Sequence, residues 1–191
     1  KNTVKAIEAG KASVKSMVLH SLASAESTLT GDERELGVVL ADIGGGTTDI
    51  VIYRQGQPWY SAVIPVGGSQ LTRDLSVALK TPLYMTEEMK IKWGSVMPET
   101  IPADEKVVIP SFQGQPKHSL SRRILCDPLN ARMMELIKLI VLKVRQSGLR
   151  EFPTCGIVLT GGGAEMTGLT DLVQKTLGGQ VRIAFPEGIA G

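Results

Sequence analysis

Asp42 and Asp49 flank Gly44-Gly45-Gly46-Thr47-Thr48 in the stretch Val38-Val-Leu-Ala-Asp-Ile-Gly-Gly-Gly-Thr-Thr-Asp-Ile-Val-Ile-Tyr53. Three residues without side chains let a backbone approach a ligand closely and turn several N–H groups into one concavity, which suits an anion. Thr47 and Thr48 add hydroxyl donors. Donors alone would suit bare phosphate, but carboxylates beside a phosphate repel it unless a divalent cation lies between, directly or through water. Phosphate plus Mg²⁺ is the economical reading. The elements that must hold this set are short: residues 38–41 and 50–53 are apolar runs rich in β-branched side chains, so the glycines join two buried strands. They lead into a strand and not a helix, and no Lys-Ser/Thr follows, which excludes a Walker loop or a dinucleotide fingerprint. The plain alternative is a glycine-rich hairpin with polar decoration.

A length of 191 residues allows one large domain or two small ones. Lys and Arg number 21 against 19 Asp and Glu, a net charge of +2, and aromatics are 4%, so bulk composition does not point to nucleic acid. Cys126 and Cys155 are too few for a disulfide framework or a zinc site and read as small packed thiols, which fits a reducing, cytoplasmic setting. No apolar run is long enough to span a bilayer, and no charged-then-apolar leader opens the sequence. Because it starts at Lys1 inside an apparent helix and stops at a glycine after a strand, the chain reads as an excised piece.

Taken in order, residues 3–9 predict a helix that Gly10 ends, 14–19 a strand, and 22–29 a second helix broken at Thr30-Gly31-Asp32. His20 sits at the junction and is the histidine placed to face a cleft; local packing is the plainer reading. After the central pair, 59–66 predicts a third strand of an antiparallel meander. Gly67 and Gly68 then open a helix carrying Leu71, Leu75 and Leu79 on one face. A further helix over 86–93 puts Glu87 and Lys90 together, as ordinary exposed pairing would. From 95 to 128 the texture turns to prolines and short β-like runs, read as a small inserted subdomain. A helix over 129–147 presents Leu129, Met133, Leu136, Ile137, Ile140, Val141 and Val144 as a core stripe. A strand over 155–160, Gly161-Gly162-Gly163, a helix over 166–177 and a strand over 181–184 complete the chain.

Three stretches, in order, carry a resemblance. Asp42-Ile-Gly-Gly-Gly-Thr-Thr-Asp49 resembles the second phosphate-binding loop of the actin-like ATPase superfamily, Glu87-Glu-Met-Lys90 its adenosine-contacting helix, and Leu159-Thr-Gly-Gly-Gly-Ala164 its adenosine loop. Joint occurrence is more specific than any one match. Within the superfamily, Leu29-Thr-Gly-Asp-Glu-Arg-Glu-Leu-Gly37, Val63-Ile-Pro-Val-Gly-Gly68 with Thr72 and Asp74, Val107-Val-Ile-Pro-Ser111 with Gly114, Ser121-Arg-Arg123 and 156–169 are similar to the bacterial cell-division family FtsA. The resemblance implies an α/β fold: an actin-like (ribonuclease H-like) half with a mixed sheet and flanking helices, plus a small inserted α+β subdomain. It divides the chain into 1–30, the end of the first half; 31–94 with 148–191, nucleotide-binding subdomain IIA; and 95–147, inserted subdomain IIB. The family's first phosphate loop, its IC subdomain and its C-terminal amphipathic membrane helix have no counterpart in this sequence.

The same resemblance implies ATP and Mg²⁺ as cofactors. Asp42 would hold Mg²⁺ through water, Asp49 would orient the metal's waters, and Gly44, Gly45, Gly46 and Thr47, with Thr48 beside them, would cradle the β- and γ-phosphates. Gly161, Gly162 and Gly163 would line sugar and base, with Glu87 and Lys90 near ribose and adenine. Where hydrolysing relatives of the MreB type carry a catalytic Glu, this chain reads Leu19-His20-Ser21, so no catalytic residue is assigned and at most a weak ATPase is expected. The implied partners are the C-terminal peptide of the tubulin-like FtsZ, received by IIB, and further copies in a filament on the inner face of the cell membrane. Lys117, Arg122, Arg123 and Arg132 are the local basic excess and the candidates to meet that peptide, a solvated face being the alternative. Cys126-Asp-Pro-Leu-Asn130 departs from the family pattern there. The competing readings are an actin-fold enzyme (sugar kinase, activase or chaperone type) and a pilus-assembly or MreB-type relative.

Overall fold

The computed structural model describes residues 2–110, 112 and 116–186. Helices α1 (Asn2–Ala9), α2 (His20–Thr28) and α3 (Gly31–Leu36) precede a meander of β1 (Val38–Ile43), β2 (Thr48–Arg54) and β3 (Gln57–Ile64). Helices α4 (Gly68–Leu79) and α5 (Leu83–Trp93) follow, then a hairpin of β4 (Lys106–Ile109) and β5 (His118–Ser121) that runs into α6 (Arg122–Gln146). Strand β6 (Ile157–Thr160), helix α7 (Leu169–Leu177) and strand β7 (Val181–Ile183) complete the described chain. The main sheet has the order β3-β2-β1-β6-β7. The β1–β2 and β2–β3 pairs are antiparallel, whereas β6 runs parallel to β1 and β7 parallel to β6.

Every residue of β1 is buried, because helices cover both faces of the sheet. Val38, Leu40, Val51, Tyr53 and Val158 pack with Ala25 and Leu29 of the α2 side. Alternate residues Val39, Ala41, Ile50, Ile52 and Leu159 join a larger core with Leu71 and Leu75 of α4, Leu172 and Val173 of α7, and the α6 stripe. Within that stripe Leu129, Met133, Leu136, Ile137, Ile140 and Val144 are buried and Val141 is half-buried. Val107 and Ile109 of β4 belong to the same core, so the small hairpin is continuous with the main one. Among the described residues no helix is long and apolar enough to cross a membrane.

Four local expectations are corrected. Residues 14–19 form no strand: Met17, Val18 and Leu19 are largely exposed, and β-propensity yields a strand only beside a neighbour that completes the ladder. Thr30-Gly31-Asp32 starts a helix instead of merely breaking one. Thr30 caps α3, accepting from Glu33 N while its own N–H donates to Glu33, a reciprocal box that the T-x-x-E spacing encodes. Helix α6 begins at Arg122 and carries Pro128 inside it. Leu125, Cys126 and Leu129 are wholly buried on its inner face, and their burial outweighs the single backbone bond that proline removes. Helix α7 starts at Leu169, after a 3₁₀ turn over Gly162–Glu165 and a left-handed Gly168 packed against Met97. Ser111 and Gly114 lie outside the described residues.

Glu33 also ties α3 to β7: Arg182 Nε and Nη2 donate to its two carboxylate oxygens, each at 2.6 Å. Arg182, against some opposing desolvation, holds the Glu33 carboxyl below its usual range. A carboxylate with a lowered folded pKa contributes stability above the unfolded value of about 4.3, and loses it as pH falls through the folded value. Glu33→Gln is therefore expected to destabilise by roughly 1 kcal/mol at pH 7, since Arg182 is partly exposed, and to flatten the acid limb of the stability profile. Urea unfolding from pH 7 to pH 3 measures both.

Candidate functional site

The β1–β2 register sets Asp42 opposite Asp49, and Gly44 N closes the turn on Thr47 O at 2.9 Å. The next two peptide planes are fixed by the N-terminus of α4. Gly68 N donates to Gly44 O at 2.9 Å, and Ser69 donates to Gly45 O through both its N–H and its hydroxyl, each at 2.7 Å. A trans peptide points its C=O and the following N–H in opposite directions. The N–H groups of Gly45 and Gly46 are thus turned away from α4, and among the described residues neither has an acceptor. Two adjacent unpaired amides make the start of an anion nest. Gly67 permits the approach, since a Cβ there would fall 2.5 Å from Gly44 O.

The second glycine triplet meets the first at the ends of two parallel strands, where Thr160 of β6 pairs with Asp42 of β1. Gly161 has φ +83°, and a Cβ on it would lie 2.4 Å from Asp42 Oδ1; one on Gly163 would lie 2.3 Å from Ile43 Cγ2. Between the triplets opens a cavity of about 590 Å³, lined by Gly44, Gly45, Gly68, Ser69, Gly162, Gly163, Glu87 and Lys90 among others. That size suits a small organic ligand. Lys90 is buried and donates to Glu87 Oε2, Thr72 Oγ1 and Gly68 O. Thr72 in turn donates to Glu87 Oε2. Burial opposes ionisation of Glu87, but the bonds from Lys90 and Thr72 together outweigh it and hold the carboxyl below its usual range.

Asp42 lines an adjoining recess of about 360 Å³ together with His20, Ser24, Gly161 and Gly162, among others, and Asp49 stands opposite Asp42 on β2. Asp42 is buried and accepts from Ser24 Oγ at 2.6 Å; Asp49 accepts from Thr47 Oγ1 at 3.2 Å. His20 Nδ1 stands 3.6 Å from Asp42 Oδ2 and 3.8 Å from Asp49 Oδ2, close enough to interact with both and too far for a hydrogen bond. Among the described residues no three metal-ligating side chains are grouped to hold an ion. A Mg²⁺ held by Asp42 and Asp49 would take its other ligands from phosphate and water, as that ion commonly does.

Of the residues singled out from sequence, Asp42, Gly44, Gly45, Gly46, Thr47, Asp49, Glu87, Lys90, Gly161, Gly162 and Gly163 are gathered around these two recesses or on the turn that joins them. Thr48 is not: it is wholly buried and donates to Val66 O at 2.8 Å, so its hydroxyl anchors the turn from behind. The basic group is also largely engaged within the fold. Arg122 donates to Trp93 O and Glu105, Arg123 to Ile101 O, and Arg132 to Asp74 and Glu135. Lys117 alone of the four has no such bond among the described residues and is exposed. Sequence reasoning passed over Ser24 and Ser69 and set His20 aside. The i, i+4 spacing of His20 and Ser24, which puts both on one face of α2, is the signal that would have paired them with each other.

A central strand flanked by helices on both faces, with glycine turns meeting at its end, is the arrangement of the actin-like fold. MreB5 of Spiroplasma citri bound to ADP superposes with a TM-score of 0.76 over 96% of this chain and 60% of that one, at 17% identity, a likeness of fold. The family model "Cell division protein FtsA" matches residues 39–191, and the chain belongs to that family. It is 41% identical over 178 residues to the cell division protein FtsA of Pseudomonas aeruginosa, covering 93% of this chain and 43% of that protein. It is 40% identical over 198 residues to that of Escherichia coli (strain K12), covering 100% and 47%. The chain spans less than half the length of either relative.

The contact between the triplets is tight enough to test alone. Gly161→Ala forces a side chain into left-handed backbone and against Asp42, and is expected to cost about 1–3 kcal/mol of stability by chemical denaturation. Gly162→Ala, with open space at its Cβ, is expected to cost much less.

Proposed function

We propose that the protein binds ATP with Mg²⁺ and works as an actin-like cell-division protein that assembles into filaments and tethers FtsZ to the membrane at the division site. The observation that carries the nucleotide reading is the pair of unpaired amides at Gly45 and Gly46, beside opposed carboxylates and a second glycine turn. The triphosphate lies on Gly44, Gly45, Gly46 and Thr47, the nucleoside in the larger cavity against Gly162 and Gly163, and Asp42 and Asp49 hold the metal through water. The bound Mg²⁺ supplies the positive charge that lets phosphate sit beside two carboxylates. Among the described residues Glu87 Oε1 has no partner, which leaves it available to a ribose hydroxyl. Position 20 offers a histidine and not a carboxylate to orient water, so turnover is slow at most.

The division of labour follows the family. Residues of the main sheet form the nucleotide-binding subdomain, and the lobe that includes 95–147 receives the C-terminal peptide of FtsZ. Since Arg122, Arg123 and Arg132 serve the fold, Lys117 is the basic side chain most available to that peptide. Self-association and membrane attachment belong to the whole protein.

Asp42→Ala in the full-length protein is expected to weaken Mg²⁺-dependent ATP binding at least tenfold by calorimetry, with the circular dichroism spectrum retained. Unchanged affinity would place the metal elsewhere. Rapid, metal-dependent phosphate release by the wild type would replace the adaptor reading with an enzymatic one.

A further inference from the structure

The pair Glu87 and Lys90 looks at first like two ligand contacts on one helix. Their hydrogen bonds divide them. An ammonium has three donors, and Lys90 directs all three within the fold: to Glu87 Oε2 at 2.8 Å, Thr72 Oγ1 at 2.9 Å and Gly68 O at 3.1 Å. Its side chain is 9% exposed, against 46% for Glu87. A ligand bond from its ammonium would cost Lys90 one of these three. Glu87, by contrast, keeps Oε1 without a partner among the described residues.

What Lys90 holds is the first turn of α4, and that turn holds the phosphate loop. Its acceptor Gly68 O belongs to the residue whose N–H grips Gly44 O, and the next residue, Ser69, grips Gly45 O twice. The chain of bonds therefore runs from α5 through Lys90 and Gly68 to the carbonyls that aim the Gly45 and Gly46 amides. We propose that Lys90 is a positioning residue for the phosphate-binding turn, with Ser69 as the last link. This deepens the nucleotide reading above and rests on it.

The two roles give different ligand profiles. If Lys90 acts through the loop, Lys90→Met in the full-length protein weakens ATP and ADP at least fivefold more than it weakens adenosine, titrated by NMR, the loss for adenosine coming through the released Glu87. Ser69→Ala reproduces the pattern more weakly. Glu87→Gln, which removes the carboxylate's charge and keeps its shape, weakens adenosine and ATP by the same factor. An equal loss for adenosine and ATP in Lys90→Met would overturn the proposal in favour of direct contact.

Amide exchange in the ligand-free protein tests the bracket without any nucleotide. Lys90→Met and Thr72→Val should speed exchange at Ser69 and Gly68 more than at β1, and unchanged rates there sink the bracket whatever the binding data show. Wild type that binds neither ATP nor ADP would refute the nucleotide reading, and the exchange rates would still decide the bracket.

Discussion

The site depends on the orientation of two peptide planes. The carbonyls of Gly44 and Gly45 are taken by donors from the start of α4, and planarity then sends the Gly45 and Gly46 amides the other way. No side chain is needed to present them, which is why glycine is suited to the position and why the approach of Gly67 has to be so close. A loop that offers backbone donors without ordering long side chains gives up little conformational freedom when an anion arrives.

Around that turn, the sheet fixes the rest by register. Pairing β1 with β2 puts the acids face to face; pairing β1 with β6 brings the second triplet against the first. Burial on both faces leaves β1 no freedom to slip, since a shift of one residue would exchange the sets facing α2 and α4. Helix α2 then adds Ser24 beneath Asp42 and His20 above both acids. The carboxylates are oriented by neighbours on α2 and on the glycine turn.

Much of this was legible in the chain itself. Short β-branched runs around the glycines announced the central hairpin, the apolar stripe announced α6, and the joint order of three motifs announced the fold. What stayed hidden depended on contacts distant in sequence. Residues 14–19 have the composition of a strand, but composition does not supply the neighbouring strand. Pro128 reads as a boundary until the burial of Leu125 and Cys126 is known. Thr48 looks like a ligand donor until Val66 O is found behind it. Arg122, Arg123 and Arg132 look like a docking face until Glu105, Asp74 and two backbone carbonyls turn out to hold them. In each case a side chain's type was clear and its direction was not.

Arg132 of α6 grips Asp74 with two bonds, six residues along α4 from Gly68. That is about 9 Å of rigid helix, at 1.5 Å per residue. Helix α4 is thus clasped at its middle by α6 and clasps the glycine turn at its tip. The two contacts share less than two turns of one helix, so neither can shift independently of the other while that stretch of α4 stays intact.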